Sequence, residues 1–157
     1  MGNGDISPVK AGGSWWCKLW NGDEPKTDAK TVLKEIKSLG GGVFREIESG
    51  KTTLLHKDLE RLSDRGKKAM AIVQRGLIGL GLIKIDKNQK CWWSNFSFGI
   101  YGDQTAAAIK TLQDAAGISR AEGKDGRKFG KDSLSALTKA LAANAEGKDW
   151  KEAVKPK

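Results

Sequence analysis

Residues 99–113 read Gly99-Ile100-Tyr101-Gly102-Asp103-Gln104-Thr105-Ala106-Ala107-Ala108-Ile109-Lys110-Thr111-Leu112-Gln113, a glycine-rich turn that runs straight into an amphipathic helix. Gly99 and Gly102 bracket one aromatic and permit positive φ. Asp103 or Thr105 can accept the first amide hydrogens of a helix, which have no partner inside it. Ala108, Ile109, Leu112 and Ala116 recur at helical spacing, and Gly117 stands where a left-handed cap ends a helix, so the pattern predicts a helix over about 103–116. The same device returns at Gly126-Arg127-Lys128-Phe129-Gly130-Lys131-Asp132-Ser133-Leu134, which makes an internal repeat. Upstream, the segment 63–82 carries Met70, Val73, Leu77 and Leu80 as an apolar stripe. Three helices of this kind are enough for one small core, so the fold expected is mainly α, a small three-helix domain.

These residues resemble the peptidoglycan-binding-domain-like family, whose pattern is Asp-Arg-Gly, a helix of Val-x-x-Leu-Gln type, a Leu-Gly end, then repeated Asp-Gly-x-Phe-Gly-x-x-Thr turns. The residues that match are Asp64-Arg65-Gly66, Val73-Gln74, Leu80-Gly81, the turn from Gly99 to Thr105, Leu112-Gln113, and Asp125-Gly126 through Ser133. The match covers about 59–143. It departs from the pattern at Phe98, where the first repeat usually has Asp, in the long connection 84–97, and in an extra residue between Gly126 and Phe129. The resemblance implies non-catalytic recognition of peptidoglycan, without a cofactor. Asp103, Gln104, Lys124, Asp125 and Arg127 are polar and lie on or before helix starts, where they could offer hydrogen bonds and charge to the amides and carboxylates of a stem peptide. Tyr101 and Phe129, held between paired glycines, are expected to plug the core.

The chain has 157 residues and a net charge of +9. Residues 1–58 hold nine basic and eight acidic groups and residues 59–157 nineteen and eleven, so nearly all the excess lies in the repeat half. That bias favours a polyanionic partner: a wall rich in carboxylates, an acidic protein surface or a nucleic acid. Nucleic acid ranks last, because its only support is basic charge and an exposed Trp92-Trp93 pair. The longest apolar run, about 77–85, is far shorter than the ~20 residues a bilayer needs, so no membrane partner is expected. Residues 1–6 show neither a basic nor an apolar region, which points to synthesis in the cytoplasm without a Sec signal. A wall-binding protein with no such signal fits a part of an envelope-penetrating particle, such as a phage tail or a contractile injection device.

Residues 1–58 are expected to form an N-terminal segment, followed by the module at 59–143 and a basic tail at 144–157, with a frayed helix as the alternative for that end. Trp15, Trp16 and Trp20 put three large apolar groups into six residues and suggest an assembly surface for other subunits. Residues 28–39 predict a helix with Val32, Leu33, Ile36 and Leu39 on one face. The runs 43–48 and 51–55 around Ser49-Gly50 predict two short strands, with a helix over 42–48 as the alternative.

Catalysis is not expected. His56 is the single histidine, so a His-based metal site cannot be assembled, and hydrolysis by a Ser-His-Asp triad is not expected. Glu48-Ser49 matches the Glu-Ser motif of lysozyme-like enzymes over too short a stretch to matter. Cys17 and Cys91 each adjoin a Trp-Trp pair. Cytoplasmic synthesis favours two buried free thiols, and a disulfide between Cys17 and Cys91 is the alternative for a protein that works outside the cell.

Overall fold

The computed structural model describes residues 24–38, 42–55, 64–86, 88, 91–94, 96, 98–118 and 126–156. By contact the chain divides into two units, residues 27–84 with 98–157 and residues 1–26 with 85–97. The larger unit carries, in order, α1 (Ala29–Ser38), α2 (Val43–Glu48), β1 (Leu54–Leu55), α3 (Asp64–Gly79), α4 (Asp103–Ala116), β2 (Lys128–Phe129), α5 (Lys131–Ala145) and α6 (Trp150–Val154). The described residues of the smaller unit contain one short 3-10 helix, Trp92–Ser94. The chain is thus mainly helical, as expected, with one two-stranded antiparallel pair.

Helix α4 begins and ends where its pattern predicts. Gly117 adopts a left-handed φ of 64°, and the amide of Ile118 reaches back to the Gln113 carbonyl at 3.1 Å, which satisfies the carbonyls the helix end would leave open. Helix α1 is started by Asp28, whose carboxylate accepts from the Thr31 amide at 3.0 Å and the Thr31 hydroxyl at 2.7 Å. Helix α3 buries Met70, Val73 and Leu77 completely, and Leu80 in the turn just past its end is nearly buried. Helix α5 is the hub, packed against all five other helices. That explains why its buried residues, Ser133, Leu134, Ala136, Leu137, Ala140, Leu141 and Ala143, cover about half of its circumference, a broader face than a narrow stripe.

Three expectations change. The hairpin is not formed: 43–48 is helical, with Val43, Phe44 and Ile47 buried and Arg45 exposed, a one-faced helical spacing driven by contact with α3 and α5. The strand at 54–55 pairs instead with the second glycine turn, Leu54 opposite Phe129 and Leu55 opposite Lys128. The boundary expected at 58/59 falls inside one unit. Helices α1 and α2 pack on α3 and α5, and Arg75 of α3 holds Glu35 of α1 through two hydrogen bonds of 2.9 and 2.5 Å. The stretch expected as a basic tail from 144 carries α6, capped by the Asp149 carboxylate on the Lys151 amide at 3.0 Å, with Trp150 and Val154 buried. A charge-rich end looks like a tail in sequence, but two apolar groups four residues apart suffice to dock a single turn.

The consequence is testable by truncation. A fragment of residues 59–143 would lose α1, α2, β1 and α6, and with them Val32, Ile36, Phe44, Ile47, Leu54 and Trp150 from the core. It is expected to stay largely unfolded by circular dichroism under conditions where the whole chain is folded. A cooperative thermal transition of the fragment would show that the added helices are dispensable.

Candidate functional site

The doubled turn is built by two glutamines. Gln74, on α3, is 1% exposed. Its carboxamide oxygen accepts from the Gly99 amide at 2.8 Å, while its nitrogen donates to the Ile100 carbonyl at 2.8 Å and the Thr105 hydroxyl at 3.0 Å. Gln113, on α4, is equally buried and repeats the arrangement: it accepts from the Gly126 amide at 3.0 Å and donates to the Lys128 carbonyl at 2.8 Å and the Ser133 hydroxyl at 2.9 Å. Each carboxamide thus uses its acceptor and its donors on one turn and on the hydroxyl of the helix that follows. A buried amide without such partners would cost several kcal/mol, on the order of 2–7.

Each turn also lies hard against the helix that carries its glutamine. Gly99 (φ 87°) sits over the Lys67 carbonyl, and a Cβ there would be 3.2 Å from that oxygen. Gly126 (φ 79°) sits over the Ala106 carbonyl, where a Cβ would come to 1.9 Å. Lys67 and Ala106 both stand seven residues before their glutamines, so the two halves match in backbone, clamp and contact. Tyr101 and Phe129, the aromatics between the glycines, are both fully buried. The Tyr101 hydroxyl donates to the Gly126 carbonyl, which ties the first turn to the second.

Outside this frame stands the rim. Asp103 and Gln104 are exposed in the first turn of α4, and Arg127 and Lys128 are exposed in the second glycine turn. The structure therefore brings the turn of Gln104 and that of Arg127 together through the Tyr101–Gly126 bond, while Lys124 and Asp125 lie outside the described residues. Ile100, 42% exposed, adds an apolar group that periodicity does not flag, because it falls in the turn before the helical pattern starts. The helix N-termini beneath the rim carry Asp103 and Asp132 in their first turns, an arrangement that complements the positive end of each helix dipole.

Two grooves open elsewhere on the larger unit. One, of about 760 Å³, lies between the end of α4, α5 and α6, with Asp132, Ser135, Lys139 and Lys155 among its lining. The other, of about 450 Å³, lies between α1, α2 and α5. Neither is lined by Asp103, Gln104 or Arg127.

In the smaller unit Cys91 is disulfide-bonded, which corrects the expectation of free thiols. The sequence holds one other cysteine, Cys17, which lies outside the described residues, as do Trp15, Trp16 and Trp20. Cys91 has a left-handed φ of 54° and opens the 3-10 turn, its carbonyl accepting from the Ser94 amide at 2.9 Å and the Ser94 hydroxyl at 2.8 Å. Trp92 meets Trp93 edge to face at 5.9 Å between ring centroids. Trp92 is 3% exposed and Trp93 half-buried, so the pair is not the exposed platform that sequence suggested.

Among the described residues no group of three or more His, Cys, Asp or Glu side chains could hold a metal ion, and no helix is long and apolar enough to cross a membrane. His56 lies outside the described residues. No family model, no curated protein and no solved structure matches the chain. What sequence reasoning missed is the role of the glutamines. The signal was there: Gln74 and Gln113 each sit in the apolar stripe of a helix, beside Val73 and Leu112, where a polar group needs a built set of partners.

Proposed function

We propose that this chain is a non-catalytic peptidoglycan-binding protein of the peptidoglycan-binding-domain-like type, and that it works at the cell envelope as part of a phage tail or a contractile injection particle. The observation that carries the reading is the doubled turn. The Gly-aromatic-Gly segments that resemble the family are each clamped by a buried glutamine and tied together at Tyr101 and Gly126, so the residues of the resemblance form one built frame rather than scattered matches. The polar rim on that frame, Asp103, Gln104 and Arg127, is its ligand face, with Lys124 and Asp125 assigned to it from sequence. The disulfide at Cys91 supports a working place outside the reducing cytoplasm. The basic excess of the chain supports an anionic ligand, and wall stem peptides carry carboxylates.

Co-sedimentation with purified sacculi at two salt concentrations tests the reading. The parent is expected to pellet at both, because a specific site depends less on screening than charge alone. Gln104→Ala combined with Arg127→Ala is expected to weaken pelleting about tenfold, with an unchanged melting temperature, since both side chains are exposed. Pelleting of the double variant at the parental level would place the wall site elsewhere. Failure of the parent to pellet at all would favour a structural subunit that keeps the frame without the ligand.

A further inference from the structure

The 450 Å³ groove between α1, α2 and α5 gathers cations from three separate elements around a nearly buried apolar floor. Its floor is Ile36, Phe44 and Leu134, all nearly buried, and its edge carries Lys37 from α1, Arg45 and Glu48 from α2, and Lys131 from the first turn of α5. Among the described residues none of Lys37, Arg45 and Lys131 forms an ion pair. In the larger groove Lys155 is engaged by Glu152 at 2.9 Å, and that hydrogen bond holds its amine above the usual lysine range, while Lys139 there forms no ion pair among the described residues. Three cations from three separate elements face a single carboxylate, Glu48, so the groove edge is net positive, an arrangement that suits an anionic ligand arriving from outside.

We propose that this groove is a docking site for a short acidic segment of a partner protein, one apolar side chain resting on Ile36, Phe44 and Leu134 and flanking carboxylates meeting Lys37, Arg45 and Lys131. Arg45 supplies the fork that binds a carboxylate through two parallel hydrogen bonds. A peptide fits the remaining groups better than a phosphate polymer does. Glu48 and the exposed Ser135 hydroxyl can accept peptide N–H groups, which a phosphate backbone does not have. The volume is that of a site for a few side chains, not for a folded surface. The proposal stands apart from the wall-binding reading, since neither Gln104 nor Arg127 lines this groove.

Fluorescence anisotropy on the whole chain tests it, with a labelled nine-residue peptide of alternating glutamate and leucine and its glutamine counterpart as probes. The chain is expected to bind the acidic peptide and to bind the glutamine peptide at least about tenfold more weakly, the loss expected when charge-assisted hydrogen bonds are removed. Arg45→Glu with Lys131→Glu is expected to abolish the difference while the thermal melt stays cooperative, since both side chains are exposed and a carboxylate in the first turn of α5 suits its dipole. Lys110→Glu with Lys148→Glu makes the same change in net charge outside the groove and is expected to leave binding within about twofold. Equal loss in both double variants would overturn the site in favour of net charge alone. Equal binding of the two peptides, or no binding of either, would overturn it outright. Loss of sacculus pelleting in Arg45→Glu with Lys131→Glu would assign the groove to the wall instead and equally overturn the partner-peptide proposal.

Discussion

Gly126→Ala is expected to lower the melting temperature by about 10 °C or more, or to prevent folding, because two costs add at one residue. The φ of 79° is strained for any residue with a Cβ, and that Cβ would lie 1.9 Å from the Ala106 carbonyl oxygen and 2.6 Å from the Lys110 amide nitrogen. Both neighbours are backbone of α4 and cannot rotate away. Relief requires the turn to lift, and lifting it breaks the Gln113 bond to the Gly126 amide and the Tyr101 bond to the Gly126 carbonyl. The loss is on the order of 4 kcal/mol. Gly147→Ala separates the two costs, since Gly147 has a similar φ of 76° with open space where the Cβ would go. It is expected to cost about 1 kcal/mol, the strain alone. Thermal melts of the two variants side by side check this, and equal losses would mean that the close approach to α4 does not constrain the turn.

The second large effect is expected at the clamps. Gln113→Leu keeps the bulk of the side chain but takes their partner from the buried Gly126 amide and the half-buried Lys128 carbonyl, at a cost of about 3 kcal/mol. Gln74→Leu does the same to the Gly99 amide, but the Ile100 carbonyl keeps the Gly102 amide at 3.0 Å, so the expected cost is smaller, about 2 kcal/mol. The turns are joined through Tyr101, so the double variant is expected to deviate from the sum of the single losses by about 0.5 kcal/mol or more. Urea unfolding of the three variants measures this. Single variants that unfold at the parental midpoint would show that packing of Tyr101 and Phe129 holds the frame without the glutamines.

Local pattern carried much of the fold. The three helices at 64–79, 103–116 and 131–145 were legible because each has an apolar repeat of helical period and a glycine at or near its end, and neither property needs the rest of the chain. The turn glycines and the buried aromatics between them were legible for the same reason. Residues 43–48 were not, since six residues with Val43, Phe44 and Ile47 apolar satisfy a strand nearly as well as a helix, and contact with α3 and α5 decides between them. The candidate site was legible as a place, the helix starts after the glycine turns, but not as a mechanism of construction.

By itself the sequence determined the repeated turn, the helices that follow each turn, the basic excess and the lack of a second histidine, all of which depend on residue identity and spacing alone. Only the tertiary structure decided which groups meet. Gln74 and Gln113 close on turns 25 and 13 residues away, Leu54 pairs with Phe129, Glu35 holds Arg75, and α1, α2 and α6 complete a core that the three helices alone would leave open. The physical reason is that a buried polar group or an apolar face states a requirement for a partner without stating where in the chain that partner lies, and only packing the whole unit against α5 supplies the answer.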